Sequence, residues 1–167
     1  MRKKSIVLIG MPGVGKSTIG VVLAKNLGIS FIDSDLAIQE REEKKLHDII
    51  AERGLDGFLD IEEDVNISLS PKAAVIATGG SAVYREQAMR HFSDIALIVY
   101  LRLSYESISE RLGDLEERGV VLKENQSLRQ LYDERVPLYE KYANMTVDCE
   151  GRNIREIVFE IAKRIKY

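Results

Sequence analysis

Ser5-Ile-Val-Leu-Ile-Gly-Met-Pro-Gly-Val-Gly-Lys-Ser17 joins an apolar, β-rich run to a glycine-rich turn and the start of a helix. Ser5 to Ile9 reads as a strand buried on both faces, as parallel sheets require. Gly10 to Ser17 matches G-x-x-x-x-G-K-[ST], placed after a strand and before a helix, as its mechanism demands. With glycine near 7% of residues, chance gives this pattern in on the order of one chain in a hundred or fewer. Gly10, Gly13 and Gly15 allow backbone N–H groups to converge on anionic oxygens, and the helix N-terminus near Lys16 adds its dipole.

These features predict a P-loop NTPase core. Gly13, Val14, Gly15, Lys16, Ser17 and Thr18 are the expected nucleotide contacts. Lys16 suits the β- and γ-phosphates, and the Ser17 hydroxyl suits Mg²⁺. Working outward, Ser17 to Leu27 has helical spacing and stops at Gly28, a C-cap signal. Ile29 to Ile32, Ala73 to Ala77, Ile95 to Leu101 and Met145 to Asp148 read as four further strands. Helices are predicted over Asp35 to about Arg53, Phe58 to about Leu69, Tyr105 to about Arg111, Ser127 to Tyr142 and Ile154 to Ile165. Pro137 marks an expected bend or interruption in the fourth of these. Strands alternating with helices imply a parallel sheet with right-handed crossovers.

The length of 167 residues fits one domain, residues 1–167. A net charge of −3 leaves no electrostatic footprint for nucleic acid. Arg2, Lys3 and Lys4 precede an apolar run too short for a signal h-region or a membrane span, so a cytoplasmic protein without membrane contact is expected. Cys149 is the single cysteine, read as a small buried residue, and His47 and His91 are read as surface helix residues. Tyr132, Tyr139 and Tyr142 are read as core packing, and a monomer is the default.

A phosphate cradle alone does not separate kinases from switches or motors. Asp33-Ser-Asp35 places two carboxylates at the carboxyl end of a strand, the edge where open α/β sheets bind ligands. One can face Mg²⁺ and the other an acceptor hydroxyl, and Asp33 is assigned to the metal and Asp35 to the acceptor. Capping of the following helix is an alternative use for either. Thr78-Gly-Gly80 lies at the same edge, where paired glycines permit close backbone approach to a ligand. The polar stretch between Gly113 and Asn125 reads as a lid over about 112–126, and about 34–70 as helices that bind the acceptor.

Gly10 to Thr18, Asp33-Ser-Asp35, Thr78-Gly-Gly80, the Arg118 region and Glu134-Arg-Val-Pro-Leu-Tyr139 together resemble the shikimate kinase family, in order and spacing, over nearly the whole chain. The resemblance implies a three-layer fold with a five-stranded parallel sheet in the order 2-3-1-4-5, and phosphoryl transfer from MgATP to a ring hydroxyl. It gives Lys16, Asp35 and Arg118 catalytic roles and places Arg111, Arg118 and Arg152 at the nucleotide. Asp35, Gly79, Gly80 and Arg135 would hold the acceptor, with Arg135 on its carboxylate.

The sequence departs from the family at Phe58-Leu59, where Phe-Arg is usual, in the lid after Arg118, and at Ser81, where a third glycine is usual. Glu62 would then lose an arginine neighbour and face the pocket as a free carboxylate. Shikimate is the first acceptor expected. An amino-alcohol such as homoserine, another hydroxy acid, or a non-catalytic ATP-binding regulator are the alternatives.

Overall fold

A computed structural model describes residues 5–113 and 123–165 of the chain. Arg118, the expected lid arginine, lies outside the described residues with most of the expected lid. Five strands form one parallel sheet: β1 (Ser5–Ile9), β2 (Ser30–Asp33), β3 (Ala74–Ala77), β4 (Ala96–Arg102) and β5 (Met145–Asp148). Their order is β2-β3-β1-β4-β5, as the family resemblance implies. β1 is central, with Leu8 paired to Ala77 on one side and Val99 on the other. All five of its residues are buried, which is why it reads as an unbroken apolar run rather than an alternating one.

Helices flank the sheet: α1 (Lys16–Leu27), α2 (Ser34–Glu42), α3 (Leu46–Ser68), α4 (Glu86–Ile95), α5 (Tyr105–Arg111), α6 (Leu128–Tyr142) and α7 (Ile154–Ile165). α1 packs with α7 and against β1, β2 and β3, while α4 packs on β4 and carries α3. The main core joins the sheet to these helices, and it includes Cys149, whose thiol burial pushes up to about 11. A second apolar cluster, Ile38, Ile49, Phe58, Leu59 and Val65, fastens α2 to α3 beside the carboxyl edge of the sheet.

The structure differs from the sequence reading in four places. The segment read as one helix from Asp35 breaks after Glu42, and α3 then runs through the predicted gap, kinked at Gly54 (φ 71°, ψ 178°). α4 was given no bounds in the sequence beyond the helical reading of His91, although Ala88, Met89 and Phe92 supply a buried stripe at helical spacing. Pro137 does not interrupt α6, which stays helical across it. His91 is half-buried rather than a surface residue: its Nε2 donates to the Leu69 carbonyl at 2.8 Å, tying α4 to the turn after α3.

Candidate active site

Parallel strands aim their carboxyl ends at one edge, so the turns after β1, β2 and β3 converge there. They line a pocket of about 410 Å³ that also reaches Arg135 on α6. The glycine-rich turn holds Gly13 and Gly15 at φ 84° and 98°, a left-handed geometry that favours glycine. Gly13, Gly15, Lys16, Ser17 and Thr18 face this pocket. Lys16 Nζ donates to the carbonyls of Gly10 (2.7 Å) and Met11 (2.9 Å). Burial draws its ammonium down to about 8, against the opposing pull of the Asp35 carboxylate.

Asp33 and Asp35 diverge as their spacing suggests. One Asp33 oxygen accepts from Ser17 Oγ at 2.8 Å, and the other caps α2 by accepting from the backbone N–H groups of Asp35 and Leu36. The cap therefore falls on Asp33, and Asp35 is left to line the pocket. Burial, reinforced by the neighbouring Asp33 charge, raises the Asp35 carboxyl to about 6.

Gly79 and Gly80 run between these groups and α6, and a side chain at either would crowd its neighbours. A Cβ on Gly79 would lie 2.8 Å from Asp35 Oδ1 and 3.0 Å from Glu62 Oε2. On Gly80 it would lie 2.8 Å from Arg135 Nη1 and from Pro12 Cδ. Arg135 is only 1% exposed; its Nε donates to Tyr84 Oη at 3.1 Å, and its guanidinium stands over the Tyr84 ring. Tyr139, one helical turn beyond Arg135, donates to the Gly80 carbonyl at 2.7 Å. It packs in the core as expected, and it also anchors the glycine pair. The i, i+4 spacing of Arg135 and Tyr139 on a helix was the signal for that second use.

Glu62 does not stand free. Both its oxygens lie 2.9 Å from Ser81 Oγ, and burial, then the Asp35 charge, raises its carboxyl to about 8 against that hydrogen bond. Leu59, where the family resemblance leads to an expectation of arginine, is buried in the α2–α3 cluster. Val14, Arg111 and Arg152 line an adjoining cavity of about 540 Å³ that shares Gly15 and Thr18 with the first pocket. Arg111 donates there to the carbonyls of Gly13 (3.2 Å) and Val14 (3.4 Å). Apart from Arg118, the residues read from the sequence thus gather around one phosphate-binding turn.

A cradle for phosphates, a half-buried carboxylate and a buried guanidinium in one pocket suit transfer of a phosphoryl group to a small anionic alcohol. The shikimate kinase family model matches residues 12–166. The chain belongs to the shikimate kinase family. It is 37% identical to a shikimate kinase of Thermodesulfovibrio yellowstonii, over 96% of this chain and 94% of that protein. It is 33% identical to one of Persephonella marina, over 98% and 99%. Among solved structures, a shikimate kinase from Acinetobacter baumannii in complex with shikimate superposes with a TM-score of 0.89 at 31% identity, covering 98% of this chain and 93% of that one. Members of the shikimate kinase family use ATP, and this chain is a phosphotransferase acting on a hydroxyl group. Among the described residues, no helix is long and apolar enough to cross a membrane.

Proposed function

We propose that this kinase transfers the γ-phosphoryl group of ATP to the 3-hydroxyl of shikimate, giving shikimate 3-phosphate and ADP. The observation that carries this reading is the placement of Asp35 and Arg135 along the Gly79-Gly80 turn, in the same pocket as Lys16. Arg135 pairs with the carboxylate of the acceptor, and Asp35 accepts a hydrogen bond from its hydroxyl. The acceptor oxygen bonds to the γ-phosphorus as the bridging bond to ADP breaks, and the hydroxyl proton passes to Asp35. Lys16 leaves the Gly10 and Met11 carbonyls to stabilise charge on the phosphates. Arg111 and Arg152 flank the adenine in the adjoining cavity, and Arg118, outside the described residues, is assigned to neutralising charge on the transferring group.

Mg²⁺ fits this site, because Ser17 Oγ and Asp33 Oδ2 lie side by side as hard oxygen donors. When bound, the ion neutralises charge on the β- and γ-phosphates. The relative in complex with shikimate supports this acceptor over an amino-alcohol or another hydroxy acid. The test is ADP release with MgATP and a panel of shikimate, other hydroxy acids and amino-alcohols. Shikimate-dependent turnover is expected to dominate, and a preference for any other acceptor would overturn the assignment.

A further inference from the structure

A side chain at Gly79 or Gly80 would crowd its neighbours, but the backbone at position 81 does not call for glycine. Ser81 has φ −88° and ψ −6°, a right-handed geometry open to any residue. Its side chain is therefore not forced by the turn. Ser81 lines the same pocket as Arg135 and Asp35, while Glu62, 1% exposed, stands behind it within hydrogen-bonding distance of its hydroxyl through both carboxylate oxygens.

We propose that Ser81 and Glu62 form a specificity-determining pair for the acceptor: Ser81 Oγ is the group that touches it, and Glu62 is the positioning residue that sets whether Ser81 gives or takes that hydrogen bond. The inference rests on the acceptor assignment above and refines it.

A serine hydroxyl has one proton and two lone pairs, whereas an ionised carboxylate only accepts. With Glu62 ionised, the Ser81 proton is held by the carboxylate and Ser81 offers the pocket lone pairs alone. With Glu62 protonated, its O–H donates to Ser81 Oγ, and the Ser81 proton turns toward the pocket. The groups whose charges reach Glu62 are Asp35 from α2, Lys16 from α1, Arg85 ahead of α4, and Arg135 and Tyr139 from α6. Burial and the Asp35 charge outweigh Arg135 and Arg85, so the neutral acid prevails at pH 7. Ser81 is then a donor on the wall that also carries Arg135, matched to an oxygen of an anionic acceptor. Ionisation of Glu62 reverses the Ser81 dipole and adds a negative charge behind it. Both changes weaken binding of an anion.

The test begins with wild-type turnover of shikimate at pH 7, which decides the acceptor assignment independently. Ser81→Ala and Ser81→Gly, neither of which adds volume, are expected to raise the shikimate KM about fivefold to tenfold, the worth of one hydrogen bond. The KM for MgATP should stay within twofold. Calorimetric titration of the nucleotide-free protein with shikimate from pH 6 to 9 supplies the second readout. Wild-type affinity should fall above pH 8, and Glu62→Gln should flatten that fall while Lys16 titrates in both proteins. Absent shikimate turnover by the wild type would overturn the acceptor and the pair together. Normal turnover with an unchanged shikimate KM in both Ser81 variants, or one pH profile shared by wild type and Glu62→Gln, would overturn the pair alone.

Discussion

Asp35 can take the proton of the acceptor hydroxyl only as a carboxylate, and its raised pKa of about 6 sets the condition under which it does so. The kcat/KM for shikimate is therefore expected to rise with pH through about 6, and Asp35→Asn to lose on the order of 100-fold or more in kcat. A wild-type profile flat from pH 5 to 7 would contradict this role. The same raised values bear on stability. Folded Asp35 and Glu62 bind protons more tightly than their unfolded forms, whose carboxyls titrate near 3.8 and 4.5. The folded state thus carries the excess protons between about pH 4 and 8, and stability falls as pH rises across that window. Lys16 acts in the opposite sense, because its lowered pKa returns stability between about pH 8 and 10.5. Urea unfolding at pH 5 and 8 is expected to show Glu62→Gln losing less stability over the interval than wild type, by about 1 to 3 kcal/mol. Equal losses would place the proton uptake elsewhere.

At the scale of elements, α6 carries Arg135 to the pocket and Tyr139 to the Gly80 carbonyl, and its start is secured locally. Ser127 Oγ accepts from the Gln130 N–H at 3.1 Å, and Gln130 Oε1 accepts from the Ser127 N–H at 2.9 Å, a reciprocal capping box. Ser127→Ala should lower stability by about 1 kcal/mol in urea unfolding while the shikimate KM stays within twofold. A large KM change would mean that the cap sets the position of Arg135 as well as helix stability. The bounds of β5, α5 and α7 were legible in the sequence. The break after Glu42 was not, because Glu43 enters a left-handed cap that nothing in its residue type announces. Pro137 is a similar case: buried Arg135 and Tyr139 on either side hold α6 together against the local preference to break.

Across the whole molecule, the glycine-rich turn couples the sheet to the nucleotide. A saturating MgADP concentration, at 100 times its dissociation constant, should stabilise the fold by about 2.7 kcal/mol. For a chain of this size that corresponds to roughly 5 to 10 °C in the melting temperature. Lys16→Ala should lose most of this shift and all shikimate phosphorylation. An undiminished shift in that variant would show that Lys16 contributes nothing to holding ADP.

The sequence alone determined the donor end of the site and the sheet that supports it. The residue types between Gly10 and Thr18 are tied to one backbone geometry, and buried parallel strands leave a local, periodic signature. Asp35, Gly80 and Arg135 could be named from their motifs, but their meeting in one pocket is a product of chain crossovers. Only the tertiary structure decided that Asp33 takes the cap, that Tyr84 supports Arg135 and Tyr139 the Gly80 carbonyl, and that Glu62 is held by Ser81 rather than facing the pocket free. Those contacts join residues 19 to 59 positions apart or turn on which oxygen of a carboxylate points where. Neither is written in local spacing, because burial and charge at this edge are set by which elements the fold brings alongside one another.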